Sequence, residues 1–132
     1  MNSTSVEADI ASALLIKPFS VRSIAEQNVI VKQRPTPNLT IKNKGRSFQK
    51  EWYLKKDWLC GSSTLERLFC WPCLLFSPGT SPTWTKTGYT DMRSLMADGK
   101  KHEKGKSHLS VFKTWKPYRA SGGFSSFARK KR

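Results

Sequence analysis

From Asp91 onward the apolar positions recur with the period of a helix. Met92, Leu95, Met96, Gly99 and His102 fall at i, i+3, i+4, i+7 and i+10, one stripe, so His102 shares the side of the core residues. Past Gly105 a second stretch puts His108, Phe112 and Trp115 at i, i+4 and i+7, and His108 points inward by the same argument. Upstream the pattern changes. Phe48, Trp52 and Tyr53 are spaced as on one side of a short helix, and Trp58-Leu59-Cys60 opens an extended stretch. The aromatic-rich run from Leu65 to Phe76, broken by Pro72, predicts a short β-hairpin bent around Cys70-Trp71-Pro72-Cys73, with a Pro/Gly/Ser/Thr-rich loop over 77–90. These elements predict a small α+β domain over residues 46–116, with the Cys pair on the hairpin and the His pair on two helical segments. The chain carries no internal repeat.

The flanks follow neither period. Residues 1–45 mix a short apolar patch, Ile10 to Ile16, with polar residues and the Pro35-Thr36-Pro37 step, and are expected to form a flexible arm. Residues 117–132, with Pro117, Gly122, Gly123 and a terminal Arg129-Lys130-Lys131-Arg132, are expected to form a disordered basic tail. No apolar run reaches the roughly 18 residues of a membrane helix. Glu7 and Asp9 stand where a signal peptide would be positive, so an intracellular, non-membrane protein is expected.

The chemistry concentrates where the apolar pattern is strongest. Cys70-x2-Cys73, then 28 residues, then His102-x5-His108 supplies two thiolates on a tight turn and two imidazoles on helical elements. That is the donor set of a closed, four-coordinate structural zinc site, and two thiolates cancel the charge of Zn²⁺. Histidines six positions apart on one continuous helix would point roughly 120° apart. The helix must therefore break between them, and Gly105 permits the break. Two other readings fit part of the pattern. Buried cysteines with hydrogen-bonded core histidines would need no metal, and Cys70-Trp71-Pro72-Cys73 has the spacing of a thioredoxin-like dithiol. The dithiol lacks a preceding βαβ pattern and leaves both histidines unexplained. Neither the metalloprotease His-Glu-x-x-His nor the deaminase order, His-x-Glu before the Cys pair, is present. With no open coordination position and no general base in view, no enzymatic activity and no small-molecule substrate are expected. Cys60 is either a small core residue or an alternate ligand. Phe48, Trp52, Trp58, Phe69, Trp71 and Phe76 are expected in the core rather than on a base-stacking platform.

Charge then narrows the partner. The chain has 24 Lys and Arg against 9 Asp and Glu, a formal charge of +15. Residues 86–132 hold 13 of those cations and only 3 of the acids. Arg93, Lys100 and Lys104 share the helix side opposite the apolar stripe, with Lys101 and Lys106 adjacent. Such a face is either merely solvated or meets phosphates, and the scarcity of offsetting acids favours double-stranded DNA. The terminal basic cluster fits nuclear import, a phosphate hook or plain solubility.

The ordered set Arg46-Ser47-Phe48-Gln49, Trp52-Tyr53, Trp58-Leu59, Phe69-Cys70, Cys73-Leu74-Leu75-Phe76, Trp84, Gly88-Tyr89, Lys101-His102-Glu103-Lys104 and Ser107-His108 resembles the TTF-type zinc finger. That finger stands at the N-terminus of hAT-superfamily transposases and of host proteins derived from them. The resemblance covers about residues 46–115 and puts the family's ligand positions at Cys70, Cys73, His102 and His108. The sequence departs from the pattern at Gly105, where Ser is usual, and at Met92, where Trp is usual, and keeps all four ligands. The resemblance implies a nuclear, sequence-directed DNA-binding module. It also implies an RNase H-like catalytic domain further on, and the 24 residues after His108 are too few for one. The expectation is therefore a finger without its transposase: a truncated relic, a domesticated DNA-binding protein or a partial gene product. A zinc-stapled protein-interaction module with no specific DNA target is the alternative.

Overall fold

The computed structural model describes residues 9–43 and 45–121. In chain order its elements are α1 (Ile10–Ile16), a 3-10 turn (Phe19–Val21), α2 (Ile24–Ile30), a short ribbon of β1 (Lys42–Asn43) and β2 (Arg46–Ser47), α3 (Trp52–Lys55), β3 (Leu59–Ser62), β4 (Arg67–Cys70), α4 (Trp71–Phe76), a π-helical turn (Thr83–Thr87), α5 (Leu95–Glu103) and α6 (Lys106–Ser121). This is a small α+β fold with the Cys pair at the end of a hairpin and the His pair on two helices. Among the described residues no helix is long and apolar enough to cross a membrane.

The hairpin of β3 and β4 organises the rest. It is antiparallel, with Leu59 opposite Cys70, Cys60 opposite Phe69 and Gly61 opposite Leu68. Because side chains alternate along a strand, Leu59, Leu68 and Cys70 join a cluster with Trp52, Trp58, Trp84, Met92, Leu95 and Val111. Cys60 and Phe69 face the other way, into a cluster with Ile10, Leu14, Phe19, Ile30, Val31 and Trp115. The hairpin therefore lies between two apolar layers. Its turn falls at 63–66 rather than at the Cys pair, so the expected bend around Cys70-Trp71-Pro72-Cys73 is replaced by a strand-to-helix junction. The stretch 77–90 is not all loop either. It contains the π-helical turn, and Tyr89 adds a bridge to Leu68 on β4.

That second layer corrects the expectation of a flexible arm. From Asp9 onward the N-terminal segment folds onto the hairpin, and residues 1–8 lie outside the described ones. Ile10, Ala11, Leu14 and Phe19 are buried. Asp9 caps α1 by accepting from the Ser12 amide, and its other oxygen accepts from Ser62 Oγ and the Thr64 amide at 2.9 and 2.8 Å, pinning the helix to the hairpin turn. A capping box of Ser23 and Glu26 starts α2. The proline-containing stretch after it has no regular structure but is held. The Gly61 amide donates to the Pro35 carbonyl at 3.1 Å, the Tyr53 hydroxyl to the Pro37 carbonyl at 2.7 Å, and the Arg34 guanidinium to the carbonyls of Tyr53, Lys56 and Leu59.

At the other end, α6 runs through Pro117 to Ser121 rather than stopping at residue 116. Trp115 on this helix donates from its indole N–H to the Val31 carbonyl at 3.2 Å, tying α6 to the N-terminal layer. The rest of the expected basic tail, including Arg129-Lys130-Lys131-Arg132, lies outside the described residues.

Candidate metal centre

The Cys pair sits where β4 ends and α4 begins, so the backbone turns sharply between Cys70 and Cys73. Pro72 fits that first helical turn because an amide there has no intrahelical acceptor. Both thiols are fully buried. The His pair is brought together by a break in the helical path. Helix α5 ends at Glu103 and α6 starts at Lys106, and between them the Gly105 amide donates to the His102 carbonyl at 3.0 Å. A Cβ on Gly105 would sit 3.3 Å from that same oxygen, tighter than ordinary contact, so glycine suits the bend. The two imidazoles end with their centroids 4.6 Å apart.

Cys70, Cys73, His102 and His108 each offer one donor atom, and all four atoms lie within 4.8 Å of one another. Cys70 Sγ is 3.3 Å from His108 Nδ1, Cys73 Sγ is 3.6 Å from His102 Nε2, and Cys73 Sγ is 3.8 Å from His108 Nδ1. A tetrahedral zinc with bonds of about 2.3 Å to sulfur and about 2.0 Å to nitrogen separates a thiolate from an imidazole nitrogen by about 3.5 Å. These three separations match the edges of a zinc tetrahedron, and the donor set is that of a structural Zn²⁺ site. Such an ion would neutralise the two thiolates and staple the hairpin to the two His-bearing helices.

The surroundings act on the two thiols in opposite directions. The hydrogen bond from Cys70 holds the Cys73 thiol well below the ordinary thiol range despite its burial, with further help from His102 and His108. Burial, and then the neighbouring Cys73 sulfur, push Cys70 well above it. Cys73 is thus the more acidic thiol of the pair. The thioredoxin-like reading gives the histidines no part, whereas here both imidazole nitrogens point at the thiols.

Aromatic rings pack around the imidazoles. Trp84 stacks on His102 at 5.1 Å and Phe112 on His108 at 5.6 Å, while Trp58 meets both at 5.3 and 5.4 Å. His108 is buried, and His102 is half-buried, its outer edge lining an open groove with Trp84, Tyr89, Asp98 and Lys101. Composition placed Trp58 in the core but missed its contact with the ligands. The only sequence signal was its place just before the hairpin. Glu103 was missed as a partner of Trp58, though it directly follows a ligand.

The remaining candidates separate cleanly. Cys60 is fully buried on the opposite face of the hairpin and stays out of the donor cluster, so it is a core residue. Lys100 and Lys101 on α5, Lys104 at its C-cap and Lys106 at the start of α6 are all exposed. Arg93 is exposed too, but in the turn before α5 rather than on the helix. None of the five reaches the metal centre. Comparisons with known proteins add no name to this geometry: no family model, no curated protein and no solved structure matches the chain. The buried Cys2His2 cluster by itself identifies a small zinc-binding module.

Proposed function

We propose that this zinc module is a non-enzymatic adaptor for double-stranded DNA in the nucleus, of the TTF type and derived from a hAT transposase, in which the metal holds shape and the outer helix surface does the binding. The observation that supports it is a division of labour on α5 and α6. Their inner sides carry His102, His108, Leu95, Val111 and Trp115, while Lys100, Lys101, Lys104 and Lys106 are exposed, within a segment that carries 13 cations against 3 acids. Cations with free ends on a rigid helix pair neutralise phosphates and release counterions. Four protein donors complete the coordination of a zinc, which suits a structural role rather than a reactive one. The resemblance of the ordered motifs to the TTF-type finger points the same way.

A protein-interaction module with no specific DNA target is favoured by a different observation. Ile16, Ile24 and Leu54 are 86%, 63% and 84% exposed, which leaves apolar side chains for a protein partner to cover. An electrophoretic shift assay of the zinc-loaded chain on random duplex pools, with unlabelled competitor, separates the two. The DNA reading expects selected sequences to resist competition and the shift to disappear with a strong chelator. Weak binding that any competitor removes, unchanged by chelation, would leave the protein-interaction module.

A further inference from the structure

Trp58 grips both halves of the metal centre. Its backbone belongs to the Cys half: the Trp71 amide donates to the Trp58 carbonyl at 2.7 Å, and the next residue, Leu59, pairs with Cys70 across the hairpin. Its side chain belongs to the His half. The indole lies 5.3 Å from the His102 ring and 5.4 Å from the His108 ring. Helix α5 comes down on the same indole at Gly99, where a Cβ would sit 3.4 Å from Cζ2. The indole N–H donates to Glu103 Oε2 at 2.7 Å, and Lys56 Nζ braces the same oxygen at 2.9 Å. Glu103 immediately follows His102 on the last turn of α5. A path of backbone, ring and carboxylate thus runs from one ligand pair to the other without passing through the metal position.

We infer that Trp58 and Glu103 are positioning residues for the metal, a latch that sets the imidazoles of His102 and His108 against the thiols of Cys70 and Cys73. The inference rests on the metal centre and is independent of what the outer face binds. A carboxylate behind the ligands fixes their orientation, and loss of such outer partners typically costs about 10- to 100-fold in metal affinity. Here the carboxylate reaches the imidazoles through an indole, so the lower end of that range applies. The latch also accounts for the pairing of a Trp indole with a Glu carboxylate beside a metal centre, where a plain hydrophobic contact would otherwise suffice.

The test is zinc affinity of the full chain by competition with a chromophoric chelator, together with the d–d absorption of the Co²⁺-substituted protein. Trp58→Phe keeps a ring beside the imidazoles but loses the donor together with the indole edge that meets Gly99, and Glu103→Ala removes the acceptor together with the partner of Lys56. Each is expected to weaken zinc about tenfold. The double variant should also lose about tenfold rather than a hundredfold, because both changes break one bond. Glu103→Gln, which keeps a neutral acceptor, should recover most of the loss. The Co²⁺ band should shift in Glu103→Ala and return in Glu103→Gln, since a merely destabilised fold leaves the spectrum of the bound state unmoved. Lys56→Met leaves the indole–carboxylate bond in place and should weaken zinc less than Glu103→Ala. It gives a second measurement if the alanine variant fails to fold. Affinities within twofold of the parent, additive losses in the double variant, or an unshifted Co²⁺ band despite lowered stability would each overturn the latch.

Discussion

Cys60, Cys70 and Cys73 are equally buried, yet they do different chemistry because a strand has two faces. Cys70 ends β4 on the side that meets α5 and α6, whereas Cys60 sits across from Phe69 and looks into the N-terminal layer. Burial pushes the Cys60 thiol far up, despite the lowering effect of Arg34, so it stays protonated and inert. Two substitutions should therefore separate the thiols. Cys73→Ser removes a ligand, and the purified protein should lose its single equivalent of zinc and much of its helical circular dichroism, as a chelator would produce in the parent. Cys60→Ser should keep one zinc per chain and lose about 1–3 kcal/mol of stability, since it buries a hydroxyl among apolar side chains. Zinc content by atomic absorption and urea unfolding measure both. A Cys60→Ser protein without zinc would make that thiol a ligand and undo the assignment.

Among the elements, those with a local signature were legible and those that depend on a distant surface were not. The apolar stripes of α5 and α6, the inward side of both histidines and the break at Gly105 all follow from spacing alone, because a helix repeats within a few residues. The four ligands follow from donor type and spacing. Helix α1 carries a patch of its own, but seven residues with a single apolar cluster cannot hold a helix in water. What makes it a helix is the second face of the hairpin, and a strand buried on both sides shows as a plain apolar run that does not declare how many layers cover it. Leu14→Ala, at a buried position of that layer, should accordingly cost about 2–5 kcal/mol in urea unfolding. A loose arm would make the change silent. Asp9 gives a pH-resolved version of the same test. Its burial opposes ionisation, but hydrogen bonds from Thr64, Ser12 and Ser62 outweigh it and hold the carboxyl below its ordinary value of 3.8. A carboxyl depressed in the fold contributes stability that is complete above the unfolded value and lost as pH falls through the folded one. Parent and Asp9→Asn should therefore differ in stability at neutral pH, with the difference shrinking as pH falls from about 4 through the lowered folded value. A constant difference down to pH 2 would mean that the cap acts by shape alone.

For the molecule as a whole, the metal and the charge are arranged back to back. Two layers of apolar side chains and the donor cluster fix the inner sides of α5 and α6, which leaves Lys100, Lys101, Lys104 and Lys106 exposed on the outside. The ion pair of Lys56 with Glu103 is used inside the latch. If Lys100, Lys101, Lys104 and Lys106 each neutralise a phosphate, the logarithm of the DNA association constant should fall against log salt with a slope of about −3.6, at about 0.9 per contact. Lys100→Ala and Lys104→Ala should each flatten that slope by about one unit and weaken binding to all sequences alike, because phosphate contacts position a protein without reading bases. Arg93, in the turn before α5, is free of the helix axis and able to grip a guanine edge bidentately. Its loss should relax preference at one base position while changing the slope little. Chelation ties these results to the fold. Without the metal the net charge of the lysines is unchanged but their spacing is not, so a slope that survives chelation would reduce the basic face to a diffuse cloud of charge. A slope that collapses with the zinc, while the Cys60→Ser protein keeps it, would show that the tetrahedron holds the lysines where phosphates are.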